Sequence, residues 1–201
     1  MSLRPFAPYR YHHHPSLNKP NLSTAWIGLG SNLGDSLHIL HKAWQRLGRD
    51  PGVYLRRLST CYRSRPVDMD SDRWFINGVG ELQTSLPPRG LLTLLLRVEK
   101  EFGRRRDPEA SGHQDRTLDL DLLLYDDLIV DDPLLQLPHP RMHRRMFVLA
   151  PLAELAPNLE HPSLNLTMTV LKKHLLKDPA AAAIHQVTPV DDCRYRQTNH
   201  E

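Results

Sequence analysis

The chain has 201 residues, 40% of them apolar and 24% charged, a composition that suits one packed domain with tails and argues against global disorder. Lys and Arg number 26 against 23 Asp and Glu, a net charge of +3, which selects neither nucleic acid nor an anionic small molecule as partner. No apolar run approaches the roughly 18 residues of a membrane span. Pro5, Pro8 and Pro15 interrupt any signal-peptide core, and the two cysteines, Cys61 and Cys193, are distant and outside any CxxC. That usage points to a reducing, cytoplasmic setting, with Cys61 in the core and Cys193 in a tail.

Residues 1–22 are rich in Pro, His, Asn and Tyr without a period and read as a flexible leader; His12, His13 and His14 read as solvated. Ala25 to Gly30 is a short apolar run that stops at Ser31-Asn32-Leu33-Gly34-Asp35, a strand followed by a turn. Asp35 and Ser36 cap a helix whose apolar positions are Leu37, Leu40, Ala43, Trp44 and Leu47, and Gly48 and Pro51-Gly52 end it. Val53 to Tyr62 reads as one strand, Arg65 to Trp74 as a polar loop and Phe75 to Leu82 as another strand. Pro87-Pro88 opens a second helix, with Leu91, Leu92, Leu95, Val98 and Phe102 on its apolar side and Gly103 at its close. A charged loop from Arg104 to Arg116 leads into a strand from Leu118 to Leu124, a short apolar return at Leu128-Ile129-Val130 and a helix from Phe147 to Leu155. From 178 onward the chain reads as a weakly ordered tail. The order β-α-β-β-α-β predicts a ferredoxin-like α+β sandwich, an antiparallel sheet with two helices on one face, in a single domain over 23–177.

The chemistry concentrates in Arg116-Thr117-Leu118-Asp119-Leu120-Asp121-Leu122. Residues two apart on a strand share a face, so Asp119 and Asp121 lie on one side, Cα atoms roughly 6.5–7 Å apart, while the leucines enter the core. Two carboxylates so placed need cations, and two hard divalent ions with oxygen ligands suit them. An acidic solvent face is the plainer alternative, and so apolar a strand speaks against it. Arg104, Arg105 and Arg106 on one side and the run Pro138 to Phe147 on the other bracket the acidic strand with Arg and His. Metal ions flanked by guanidinium forks suit a polyphosphate. A basic RNA-binding patch competes, but such patches stack bases on aromatics, here only 6% of residues. A two-metal phosphoesterase is a third possibility. Gly28-x-Gly30-x-x-x-Gly34 misses the dinucleotide-binding spacing, and no P-loop, nucleophile elbow or HExxH is present.

From Thr24 to His161 the chain resembles the 6-hydroxymethyl-7,8-dihydropterin pyrophosphokinases of folate biosynthesis. The resemblance rests on Gly28-Leu29-Gly30-Ser31-Asn32-Leu33-Gly34, Tyr62-Arg63-Ser64, Phe75-Ile76-Asn77, Arg97-Val98-Glu99 through Gly103-Arg104, Arg116 to Asp121, Pro138-His139-Pro140-Arg141-Met142-His143, Phe147 and Pro151-Leu152-Ala153-Glu154. It implies transfer of pyrophosphate from MgATP to the pterin hydroxymethyl group, with release of AMP. It implies that Asp119 and Asp121 hold two Mg²⁺ ions, that Arg104 and Arg116 act on the phosphates, and that Glu99, Arg106, Leu122, His139 and Arg145 contact ATP. It further implies a pterin site at Ser64, Pro66, Val67, Phe75, Asn77 and Phe147. It implies a monomer without nucleic-acid or membrane partners. His113 and Asp115 depart from the family pattern, and an acid beside Arg116 is expected to blunt its field. Leu96, Leu134 and Met146 replace polar or basic residues of relatives. These departures leave a second reading, a paralogue that binds pterin or nucleotide without efficient turnover.

Overall fold

A computed structural model of the chain describes residues 22–67, 71–105, 114–178 and 186–190. The expectations for the leader, for His12 to His14, for Arg106 and for His113 fall outside the described residues.

Strand β1 (Ser23–Ser31) sends Ala25, Ile27 and Leu29 to one side of the sheet and Trp26 to the other. Helix α1 (Ser36–Leu47) begins where the Asp35 carboxylate accepts the His38 N–H at 3.2 Å. The expected strand from Val53 to Tyr62 is two strands, β2 (Val53–Leu58) and β3 (Cys61–Ser64). Both pair antiparallel with β4 (Phe75–Thr84), β2 along its second half and β3 along its first. The break comes at buried Ser59, whose Oγ accepts the Val79 N–H at 3.0 Å and whose own N–H donates to the Val79 carbonyl at 2.9 Å. Helix α2 (Pro88–Glu101) carries Pro88 in its first turn, where no N–H is needed. Strand β5 (Asp119–Tyr125) pairs with β1, and a hairpin of β6 (Val130–Asp132) and β7 (Leu135–Leu137) follows.

Helices α3 (Met146–Leu155) and α4 (Met168–Lys177) come next, α4 capped by Thr167, whose hydroxyl accepts the Val170 N–H. Strand β8 (Val187–Val190), inside the segment expected to be weakly ordered, pairs antiparallel with β3. The described sheet runs β5-β1-β4-β3-β8, with β2 also on β4. Helices α1 and α2 bury one face around Ile27, Leu40, Trp44, Leu91, Leu95 and Leu120, as the pattern predicts. The other face is covered in part by α3 and α4, around Trp26, Val79, Leu123, Leu149 and Leu152. Helix α4 and β8 escaped the sequence reading because each is short and takes its order from packing against α3 and β3. Cys61 is buried, as expected, but it is disulfide-bonded, against the expectation of unpaired thiols. Its strand lies beside β8, with Cys61 opposite Val190.

One close approach fixes α1 on the sheet. The Trp44 ring lies against Gly80 of β4, in space that a Cβ at Gly80 would enter. Because both atoms belong to rigid elements, Gly80→Ala is expected to lower stability by about 1–3 kcal/mol. Urea unfolding checks this; an unchanged midpoint would contradict the packing.

Candidate active site

The site is built across three neighbouring strands. On β5 the side chains of Asp119 and Asp121 point to the face that carries α3, opposite to Leu118, Leu120 and Leu122. Gly30 of β1 stands opposite Asp119, and Gly28 opposite Asp121. On the far side of β1, Asn77 of β4 stands opposite Gly30. A Cβ at Gly30 would come within 3.0 Å of Asn77 Oδ1, and one at Gly28 within 3.6 Å of Asp121 Cβ. The glycines therefore form a floor without side chains between an amide and two carboxylates. Asn77 is 6% exposed, and its Nδ2 donates to Ser64 Oγ of β3 at 2.9 Å, which leaves its carbonyl oxygen facing the floor.

Two cavities meet at the carboxylate pair. The first, over the glycines, is lined by Ser64, Val67, Phe75, Asn77, Arg116, Arg145 and Phe147, together with Asp119 and Asp121. Its volume is about 40 Å³, well below the ~300 Å³ of small ligand pockets. Cations sit on its aromatics: the Arg116 guanidinium lies 5.3 Å from the Phe75 ring centre, and that of Arg145 5.5 Å from Phe147. The second cavity, beyond β5, measures about 220 Å³ and is lined by Glu99, Arg104, Leu122 and His139, again with Asp119 and Asp121. Leu96 and Leu134 line it too, and Leu134 is 73% exposed.

Charge is arranged around the pair. Arg104 Nη1 donates to Glu99 Oε1 and to Asp119 Oδ1, and Arg116 Nη2 lies 2.9 Å from Asp119 Oδ2. Burial works against the Arg104 charge, but Asp119 and Glu99 outweigh it and raise its pKa above the ordinary value. Glu99 Oε1 also accepts the Leu120 N–H at 2.8 Å, so a buried acid from α2 holds β5 and Arg104 together. Asp121 has its carboxyl pushed up, first by burial and next by Asp119, against the pull of His139, Arg145 and Arg116. Arg145 and His139 approach Asp121 at 3.9 and 4.0 Å. Burial, helped by Arg145 and Arg141, pushes the His139 imidazole down, although Asp121 draws it up. The buried Arg116 Nε has no hydrogen-bond partner among the described residues. An unmet donor on a cation beside a cavity suits an anionic ligand oxygen.

The structure thus brings together Arg104, Arg116, Asp119, Asp121, Glu99, Leu122, His139, Ser64, Val67, Phe75, Asn77 and Phe147. Pro66 is not among the residues that line either cavity; it lies between Arg65 and Val67, which both do. Arg145, expected on the nucleotide side, lines the first cavity. Met146 is buried. Asp115 does not turn its carboxylate on Arg116; its bonds go to Asn32 and Ser71. Sequence reading missed Gly28 and Gly30 as the floor, and it missed Arg65. The signal was there in one detail: Gly-x-Gly and Asp-x-Asp share a period of two, so on paired strands they can face one another.

Two cavities meet at an acidic pair, one carrying two phenylalanines, an amide and three arginines, the other lined largely by leucines with Arg104 and His139, an arrangement that suits an enzyme transferring a group between two small substrates. Residues 26–157 match the family model for 7,8-dihydro-6-hydroxymethylpterin-pyrophosphokinase, and the chain belongs to this family. It is 40% identical over 139 residues to the 2-amino-4-hydroxy-6-hydroxymethyldihydropteridine pyrophosphokinase of Methylorubrum extorquens, spanning 69% of this chain and 85% of that one. It is 40% identical over 168 residues to the protein of the same name from Synechocystis sp., spanning 82% and 80%. A crystal structure of Plasmodium falciparum HPPK-DHPS shares the fold, with a TM-score of 0.64 at 14% identity, over 85% of this chain and 50% of that one. The protein is an ATP-dependent pyrophosphokinase of folate biosynthesis that acts on hydroxymethyldihydropterin.

Gly30→Ala places a methyl group against Asn77 Oδ1. It is expected to lower kcat/KM for the pterin about tenfold, with little change in Tm. Steady-state assays check this, and an unchanged kcat/KM would contradict the glycine floor.

Proposed function

We propose that the first cavity takes the pterin and the second takes ATP, so that pyrophosphate passes from one to the other over Asp119 and Asp121. The observation that carries this reading is that both carboxylates line both cavities. Asn77 presents an amide to the polar edge of a pterin, with Phe75 and Phe147 for its faces and Ser64, Pro66 and Val67 along its border. Leu122 lies where an adenine would be packed, with Leu96 and Leu134 at the rim, and Glu99, Arg106 and His139 are assigned to the nucleotide; Arg145, which lines the first cavity and approaches Asp121, is assigned to the phosphates that pass between the two. The bond formed joins the pterin hydroxymethyl oxygen to the β-phosphorus. The bond broken is that between the β-phosphorus and the oxygen that leaves on AMP, and the hydroxyl proton is lost. Arg104 and Arg116 offset the negative charge that grows as the phosphates separate.

Among the described residues no three His, Cys, Asp or Glu side chains converge as a metal cage. Asp119 and Asp121 supply two hard oxygen donors, which fits Mg²⁺, an ion commonly held by one or two carboxylates with substrate phosphates completing its shell. Two Mg²⁺ ions bound there supply charge neutralisation and a lowered pKa for the hydroxyl. The same reading makes the enzyme a monomer whose partners are its two substrates and not nucleic acid, and its folate chemistry, rather than its cysteines, suits the cytoplasm, since Cys61 is disulfide-bonded. The described residues contain no helix long and apolar enough to cross a membrane.

The direct test is AMP release from ATP and 6-hydroxymethyl-7,8-dihydropterin with Mg²⁺. Pterin-dependent AMP is expected, and a folded protein that binds ATP without releasing AMP would overturn the reading. Arg116→Ala should lower kcat by about 10²-fold and raise the KM for ATP much less, because its role falls on charge developed in transfer. A rise in KM with kcat unchanged would refute that role. A flat ring entering the first cavity must displace guanidinium groups that phosphates would draw away. Calorimetry should therefore find pterin binding at least about tenfold weaker alone than with a non-hydrolysable ATP analogue. Equal affinities would contradict it.

A further inference from the structure

The connection from β3 to β4 leaves the sheet at Ser64 and returns at Phe75, and these two residues are paired. Its described residues, 65–67 and 71–74, include Arg65 and Val67, which line the first cavity, so their placement sets one wall of it, and the strands hold them at the base. A second tie comes from Asp115, on the segment leading to Arg116. Asp115 Oδ1 accepts Ser71 Oγ–H at 2.7 Å and Asn32 Nδ2–H at 2.6 Å, and Arg73 Nε lies 3.5 Å from its Oδ2. Ser71 Oγ in turn accepts the Arg73 N–H at 3.1 Å. Asn32, 7% exposed, is the other half of the joint. Its Oδ1 accepts the Arg116 N–H at 2.8 Å, and its own N–H donates to the Arg116 carbonyl at 3.1 Å. One carboxylate therefore fastens the β3–β4 connection to the backbone that aims Arg116. The far end of that connection is tied to the same cavity: Trp74 is stacked by Arg63 at 4.4 Å and by Arg65 at 5.4 Å, and Arg65 lines the cavity.

We propose that Asp115 is a positioning residue for the pterin half of the reaction, joining the wall of the pterin cavity to the Arg116 segment so that the two are set as one unit. The proposal rests on the assignment of the first cavity to the pterin. Charge-assisted hydrogen bonds shared by one acceptor are coupled, so their removal should not be additive.

The test is a double-mutant cycle on Ser71→Ala and Asp115→Ala, with Asp115→Asn as the conservative variant. Each alanine variant should lower kcat/KM for the pterin about tenfold. The double variant should lose no more than Asp115→Ala alone. The KM for ATP should change less than about twofold, and Asp115→Asn should recover most of the loss, since its amide oxygen can still accept from Asn32 and Ser71. Multiplying losses, a silent Ser71→Ala, or an equal loss in both substrates with a lowered Tm would each overturn the proposal. Wild-type, pterin-dependent AMP release is measured alongside: if it is present while the cycle is additive, the latch fails and the cavity assignment stands. If it is absent, the assignment itself fails.

Discussion

Two carboxylates on one face of one strand repel each other by about 2 kcal/mol at an effective dielectric of ~20 and a separation of ~7 Å. Most of what surrounds Asp119 and Asp121 answers that repulsion. Arg104 and Arg116 pair with Asp119, and Arg145 and His139 stand off Asp121 at about hydrogen-bond length plus one ångström. Glu99 adds a third acid to the same neighbourhood, and it is tolerated because Arg104 bonds both it and Asp119 while the Leu120 N–H satisfies it. The result is a set of cations held ready by protein acids and able to turn to phosphate oxygens when those arrive.

The sheet supplies the rest by placing glycine where a side chain would obstruct. Because β1 lies between β4 and β5, its Gly28 and Gly30 separate Asn77 from the acids by a single bare strand. The distance from Asn77 to the two carboxylates is thus set by strand spacing, one of the least variable lengths in a protein. On the opposite face α1 lines neither cavity, while α2 reaches the chemistry past the edge of β5 through Glu99. Both helices hold the leucines that alternate with the acids, and so keep Asp119 and Asp121 pointing the right way.

Much of this was legible in the chain. The alternation through Leu118 to Leu122 put both acids on one face, and the helical spacing of Leu40, Ala43, Trp44 and Leu47 gave α1 with its Asp35 cap. The boundary between β2 and β3 was not legible, because Ser59 looks like any strand residue until its hydroxyl is seen on the Val79 N–H. Helix α4 and β8 were missed because their stability comes from neighbours far along the chain. The partners of Asp115 were hidden for a related reason: sequence adjacency to Arg116 suggested a charge effect, but could not show that the carboxylate takes hydrogen bonds from Asn32 and Ser71, 83 and 44 residues away. Local order is written in local sequence, while the partners of a polar side chain are chosen by the fold.

The measurement that bears most directly on the central claim is pterin-dependent AMP release by Asp121→Asn, an isostere that removes the charge and keeps the size. If the carboxylate pair joins the two substrates, release should fall at least about 10³-fold while the Tm is held or raised by relief of repulsion. Near-normal release by a stably folded Asp121→Asn protein would contradict it.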